Sequence, residues 1–245
     1  MKLRLVGTGD AYARDRANSA ILLRDQGFSL LIDCGPTVCH QLWQNEDWRD
    51  IDAVYFTHLH PDHALGLTSL INRFNSSGRR RALTIYCHRG KEQRLQQLVE
   101  YGFWSDEIGY AVEFVLLDDD EGEGTFEIGP FTCRSAQTRH AVANHSLRLN
   151  SGGGALFYSG DGCITERSVV LIEGCELALI ECQALLLPES AGHSDFAKAQ
   201  MLAQRCPQTQ VMLYHIGDRD LAAVAEAAAG HPRISLAEQG ADLTL

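Results

Sequence analysis

Short β-like runs alternate with helix-like segments along all 245 residues, and this interleaving predicts an α/β protein whose sheets are covered by helices in layers. Two further observations support that reading. No internal repeat marks a solenoid or propeller. No composition break or long linker divides the chain either, so one domain spanning residues 1–245 is expected.

The elements follow in order. Residues 3–6, 19–23 and 28–32 form an opening set of antiparallel strands joined through glycine-containing turns. Residues 53–56 are the next strand, and apolar Leu67, Leu70, Ile71 and Phe74 predict a helix over 63–74. A strand at 83–87, a helix at 91–101 and a strand at 112–117 come next. Residues 118–124, all acidic or glycine, read as a solvated turn and not as a metal loop. Strands are expected at 131–136, 146–149, 155–158 and 177–180. Ser194 is the expected N-cap of a helix over 195–205. A strand at 211–214, an Ala-rich helix around 221–229 and a strand at 234–236 close the chain.

Composition is that of an ordinary globular protein, 45% hydrophobic and 22% charged. No apolar run is long enough to span a bilayer, and residues 1–9 lack the apolar stretch and cleavage site of a signal peptide. The eight cysteines are scattered with no C-x-x-C pair, several of them inside strand-like runs where Cys serves as a small buried hydrophobe. A reducing cytoplasm is expected, with no membrane partner. Formal charge is −11, from 21 basic and 32 acidic residues. That argues against a broad grip on a polyanion, although bound divalent cations would add positive charge locally. The basic cluster Arg79-Arg80-Arg81 reads as a solvated loop before a strand.

The chemistry concentrates at strand ends. His58-Leu59-His60-Pro61-Asp62-His63 places three histidines and an aspartate in six positions, directly after the apolar run Ala53-Val54-Tyr55-Phe56. Neutral imidazoles and a carboxylate converging at a sheet rim make a mixed N/O site suited to Zn²⁺ and similar divalent ions. Four further strand ends also offer His or Asp: Asp33 after Leu31-Ile32, His140 after Gln137-Thr138-Arg139, Asp161 after Ser159-Gly160, and His215 after Leu213-Tyr214. A single such residue is most often a cap or turn former. Five strand ends of this kind would form one site if the strands shared a rim. His145 reads as a strand-start residue, His40, His88 and His231 as surface or partly buried structural residues, and the cysteines as packing.

The pattern resembles the metallo-β-lactamase superfamily over residues 3 to about 216, with Asp33 as its first motif, His58, His60, Asp62 and His63 as its second, then His140, Asp161 and His215. The resemblance implies a four-layer αββα sandwich with two divalent ions between the sheets, most readily Zn²⁺, with Mn²⁺ or Fe²⁺ as alternatives. Carried over position by position, His58, His60 and His140 would hold one ion, and Asp62, His63 and His215 the other. Asp161 would bridge them, and Asp33 would orient ligand histidines by hydrogen bonding.

Gly7-Thr8-Gly9 after the first strand and Gly192-His193-Ser194 at the head of a helix resemble the phosphodiesterase branch. That branch includes ribonuclease Z and the cyclic phosphate phosphodiesterases of phosphonate metabolism. The spacings from His140 to Asp161 and from His193 to His215 resemble the small cyclic phosphodiesterases. Two departures bear on substrate. No segment is long enough to supply the arm with which ribonuclease Z grips transfer RNA. Residues 10–18 also contain no cysteine, unlike the zinc insert of the phosphonate enzyme.

The expected activity is hydrolysis of a small cyclic phosphate, nucleotide or short nucleic-acid phosphodiester by a hydroxide bridging two ions, which lower its pKa and clamp the attacking and leaving oxygens. Asp62 would orient or accept that water's proton, and His193 would stabilise the phosphate or protonate the leaving alkoxide. The alternatives are a lactonase or thioesterase using the same ions, or a non-enzymatic metal-binding sensor. A small phosphodiester is the expected partner, with nucleic acid less favoured, and a homodimer accords with the resembling group.

Overall fold

The computed structural model describes residues 1–45, 47–103, 107–119 and 124–245, so residues 120–123 of the acidic run lie outside the described part. Among the described residues, strands β1 (Lys2–Gly7), β2 (Ala20–Asp25) and β3 (Phe28–Ile32) lead into helix α1 (Val38–Gln44). β4 (Ala53–Tyr55), α2 (Pro61–Ala64), α3 (Leu67–Ser76), β5 (Leu83–His88), α4 (Glu92–Phe103) and β6 (Val112–Leu117) complete the first half. The second half runs β7 (Phe126–Ile128), β8 (Phe131–Gln137), β9 (His145–Ser151), β10 (Gly154–Tyr158), α5 (Glu166–Ile172), β11 (Leu177–Glu181), α6 (Phe196–Arg205), β12 (Gln210–Tyr214), α7 (Leu221–Ala229), β13 (Ile234–Leu236) and β14 (Asp242–Thr244).

These strands form two seven-stranded sheets, ordered β14-β1-β2-β3-β4-β5-β6 and β13-β12-β11-β10-β9-β8-β7. β1, β2 and β3 pair antiparallel, as expected, and β3 through β6 run parallel. In the second sheet β10 through β13 are parallel, and β7 through β10 antiparallel. Side-chain parity along each strand explains the layers. Ile21, Leu23, Leu30 and Ile32 face Leu147, Leu149, Leu156 and Leu179 in the seam between the sheets. Their neighbours Leu22, Leu31 and Val54 turn outward onto Val38, Leu42, Leu67, Leu70 and Phe74 of α1 and α3. Phe157, Ala178, Ile180 and Leu213 do the same beneath α5, α6 and α7. The result is the αββα sandwich. No helix among the described residues is long and apolar enough to cross a membrane.

Three local departures from expectation have physical causes. The helix expected over 63–74 is broken at Leu65-Gly66 into α2 and α3. The Gly66 N–H donates to Cys34 O at 2.8 Å, and a Cβ at Gly66 would fall 2.1 Å from Gly35 O, so only glycine lets the chain pass this close. The N-cap of α6 is Asp195, whose carboxylate accepts from Lys198 N at 3.0 Å, and Ser194 instead bonds Gly162 O. Arg79 is not a solvated loop residue. It is buried, donates to the carbonyls of Ile51, Arg81 and Ala82, and lies 4.3 Å over the Phe74 ring.

Candidate metal centre

The parallel strands of both sheets deliver their carboxyl ends to one rim, where clefts form in α/β layers. β3 ends at Asp33, β4 leads into Thr57 and His58, and α2 begins at Pro61 with His60 as its N-cap and Asp62 and His63 in its first turns. Proline at the first helical position sets that start, since its missing N–H would be unpaired there anyway. From the second sheet come His140 after β8, Asp161 after β10, Glu181 at the end of β11, His193 before α6, and His215 after β12. Asp33 (φ 61°) and His215 (φ 58°) both take left-handed backbone at their strand ends. For non-glycine residues this conformation is strained and clusters at functional sites.

The structure brings every one of the seven expected ligands together. Donor atoms of His58, His60, His140 and Asp161 lie within 4.8 Å of one another, as do those of Asp62, His63, Asp161 and His215. Asp161 belongs to both groups and sits between them. In the first group His58 Nε2 is 3.2 Å from His60 Nδ1, which is 3.0 Å from His140 Nε2. Hydrogen bonds on the far side of two rings fix which nitrogen faces inward. The Thr57 hydroxyl donates to Asp33 at 2.8 Å and is therefore left to accept from His58 Nδ1 at 3.1 Å. His140 Nδ1 donates to Gly192 O at 2.9 Å. Bare lone pairs of His58 and His140 thus point into the cluster. Burial lowers the pKa of His58, His60 and His140, that of His58 strongly, keeping all three neutral.

In the second group His63 Nε2 lies 3.3 Å from Asp62 Oδ2 and 3.2 Å from Asp161 Oδ1. His215 Nε2 is 3.4 Å from Asp62 Oδ2 and 3.3 Å from Asp161 Oδ2. Burial favours neutral His63, but the carboxylates of Asp161 and Asp33 outweigh it and raise its pKa well above the usual range. Burial likewise opposes ionisation of Asp161, yet the rings of His215 and His63 hold its pKa well below the carboxylate range. Despite this crowding, His63 Nε2 and Asp161 Oδ1 are buried without a hydrogen-bond partner among the described residues. Unpaired buried polar atoms are costly, so their convergence fits a ligand that accepts lone pairs. The spacing fits as well, since tetrahedral zinc with Zn–N near 2.0–2.1 Å sets neighbouring nitrogens about 3.3 Å apart.

Asp33 is buried beneath the cluster and holds His63 Nδ1 at 2.9 Å while accepting from Thr57 N at 2.9 Å. His193 lies beside the cluster, its ring 4.8 Å from that of His140 and stacked 6.1 Å from that of His215. Its Nδ1 is held by the Glu181 carboxylate, which the N–H groups of Gly162 (2.7 Å) and Ser194 (3.1 Å) fix in turn. Glu181 also faces His215 Nδ1 at 3.7 Å. Burial disfavours the charged form of His193, and its bond to Glu181 reverses this and raises its pKa.

A family model described as Anti-Pycsar protein Apyc1 matches residues 1–241. The chain belongs to that family. It is 26% identical over 224 residues to the probable metallo-hydrolase YhfI of Bacillus subtilis, covering 88% of this chain and 87% of that one. The crystal structure of YhfI, a metallo-β-lactamase fold protein, covers 100% of this chain and 99% of its own, with a TM-score of 0.82 at 23% identity. The anti-Pycsar protein Apyc1 of Paenibacillus xerothermodurans is 28% identical over 242 residues, covering 89% of this chain and 88% of its own. Ribonuclease Z of Natronomonas pharaonis is 24% identical over 274 residues, covering 89% and 88%. The chain thus shares the metallo-β-lactamase fold, and its relatives support a metal-dependent hydrolase resembling the ribonuclease Z branch.

Sequence reasoning passed over Glu181, Thr57 and the Gly192 carbonyl. Glu181 carried a usable signal, a carboxylate ending the apolar run Leu177-Ala178-Leu179-Ile180 just as Asp33 ends Leu30-Leu31-Ile32. His145 does open β9 and is buried, and His88 is also buried, its ring stacked 3.5 Å from that of His145.

Proposed function

We propose that the protein is a two-metal phosphodiesterase acting on a small phosphodiester. His58, His60 and His140 would hold one divalent cation, and Asp62, His63 and His215 the other, with Asp161 shared. Such cations, when bound, supply Lewis-acid charge at the phosphoryl oxygens and lower the pKa of water. The ribonuclease Z relative and the anti-Pycsar family match support a phosphoester substrate over other superfamily chemistries.

The observation that carries the reading is the Glu181–His193 pair beside the cluster. Glu181 accepts from His193 Nδ1, so the proton left to give is on Nε2. The raised pKa keeps that proton available near neutral pH. An alkoxide leaving a phosphodiester needs such a donor, whereas a thiolate leaving a thioester departs without one. Asp62 reaches His63 and His215 with one carboxylate oxygen, and these rings hold it ionised well below the usual range against the cost of its burial. An ionised Asp62 is able to orient a water by accepting its hydrogen bond. The chain's charge of −11 favours a compact substrate over a long polyanion.

The test is to assay metal-loaded protein on bis(p-nitrophenyl) phosphate, a thioester and a lactone side by side. Phosphodiester turnover should dominate, and selective thioester or lactone turnover would overturn the reading.

A further inference from the structure

Behind the metal centre, where the two sheets meet, lies a buried ammonium that the chemistry above does not use. Lys91, immediately before α4, is only 8% exposed, with Nζ 2.7 Å from Thr57 O and 3.0 Å from His145 Nδ1. Thr57 O also accepts from His145 N at 3.0 Å. This one carbonyl therefore joins the end of β4, the start of β9 in the opposite sheet, and the turn before α4. It belongs to the planar peptide unit that carries His58, so two donors on it fix the direction from which that ligand projects.

The other side of this junction leads to Asp161. Asn144, the neighbour of His145, accepts from Asp161 N at 3.1 Å and donates to Thr138 Oγ1 at 2.8 Å and to Ser159 O at 2.9 Å. Thr138 Oγ1 in turn donates to Asp161 O. Only a glycine fits between the two arms, since a Cβ on Gly160 would fall 2.3 Å from Asn144 Oδ1 and 2.9 Å from Thr57 Cβ. His58 Nε2 thereby stands 3.8 Å from Asp161 Oδ2. A lysine that merely filled space would serve no better than methionine, and a buried charge is costly. Among the described residues no carboxylate pairs directly with Lys91, and burial pushes its pKa down to about 8. Burial, and then the Lys91 cation, take the pKa of His145 to about 3, so that ring stays neutral and Nδ1 accepts. The charge is thus directed at two acceptors that bracket the seam between the sheets.

We propose that Lys91 is a positioning residue for the two-cation centre, clamping Thr57 O and His145 Nδ1 so that His58 of one sheet is held at a fixed distance from Asp161 of the other. It acts through Thr57 and Asn144 and touches neither cation nor substrate. This rests on the two-metal reading above, in which Asp161 is shared between the cations.

The experiment compares wild type, Lys91→Met and Lys91→Ala. Methionine keeps the length of the side chain without its N–H groups, and alanine leaves space for added propylammonium. Each is titrated with Co²⁺ by visible absorption and assayed on bis(p-nitrophenyl) phosphate. In Lys91→Met the Co²⁺ affinity should fall about ten-fold, the d–d bands should shift, and kcat should drop about ten-fold with KM unchanged. Propylammonium should restore affinity and kcat to Lys91→Ala, which a loss of packing alone would not allow. Wild-type affinity, spectrum and kcat in Lys91→Met, or losses in Lys91→Ala that the amine leaves untouched, would overturn the proposal. Should both variants fail to fold, the wild type decides. Coupling is reciprocal, so loading it with Zn²⁺ should slow amide exchange at His145, and exchange there indifferent to loading would overturn the proposal. Absence of wild-type turnover on the diester would remove the phosphodiesterase reading, while the Co²⁺ titration and the exchange at His145 still decide the role of Lys91. Wild type that binds neither Co²⁺ nor Zn²⁺ would remove both.

Discussion

Nδ1 of His63 donates to Oδ2 of Asp33 across 2.9 Å, with both side chains fully buried, and this bond fixes Nε2 of the same ring on the side facing Asp62 and Asp161. Asp33→Asn would present an N–H₂ to His63, move the ring proton to Nε2 and cap the lone pair. Cation affinity should fall about 10–100-fold, as measured by competition against a calibrated chelator. Unchanged affinity would show that Asp33 serves packing alone.

Asp161 contacts both halves of the cluster, so Asp161→Ala should cost bound metal and lower turnover by several orders of magnitude. Metal content by plasma mass spectrometry beside kcat reads both effects. Full activity in this variant after chelation would reject the two-cation arrangement.

His193→Ala removes the proposed proton donor. On an alkyl phosphodiester kcat should drop about 10²–10⁴-fold. The drop should be smaller on bis(p-nitrophenyl) phosphate, whose nitrophenolate leaves unaided. Equal losses on both substrates would argue for positioning instead of proton transfer.

The chain's closest backbone approach at the site is also testable. A Cβ on Gly35 would fall 1.8 Å from the carbonyl oxygen of Asp62, which is backbone and cannot swing away. Gly35→Ala should therefore destabilise the fold by about 3 kcal/mol and weaken cation binding by displacing α2. Gly152→Ala, with open space around it, is the control. Urea midpoints compare the two.

Burial, with the neighbouring cation of Lys91, depresses the pKa of His145 from 6.5 to about 3, and burial beside His145 and Lys91 takes that of His88 to about 2. The unfolded chain therefore binds protons that the native state refuses between these values and 6.5. Their contribution to stability is complete above pH 6.5 and is lost as pH falls towards 3. His145→Gln, which can still accept from Lys91 at this position, should flatten the fall in urea midpoint between pH 7 and pH 4.5. An unchanged slope would refute the assignment.

How much of this was legible beforehand depends on how local each signal is. The run from His58 to His63 concentrates donor groups within one turn and a strand end, so its chemistry shows without any partner. Asp33, His140, Asp161 and His215 each follow an apolar run, and the family resemblance joined them. Glu181 escaped notice because its partners, Gly162, His193 and Ser194, are distant in sequence. The break at Gly66 depends on the Cys34 carbonyl, which lies on another element. Ser194 and Asp195 can both cap a helix, and here the Ser194 hydroxyl donates to the distant Gly162 O while the Asp195 carboxylate accepts from Lys198 N. β14 is three residues long and pairs with the opposite end of the chain, so no local pattern announces it.

The centre takes Asp33, His58, His60, Asp62 and His63 from one sheet and His140, Asp161, Glu181, His193 and His215 from the other. Cations gripped by both would act as a clasp at one end of a sandwich that apolar packing closes elsewhere. Stripping them should therefore open this end alone: amide hydrogen exchange would quicken at Thr57, His63 and Asp161 while the paired core of β1 and β2 stays protected.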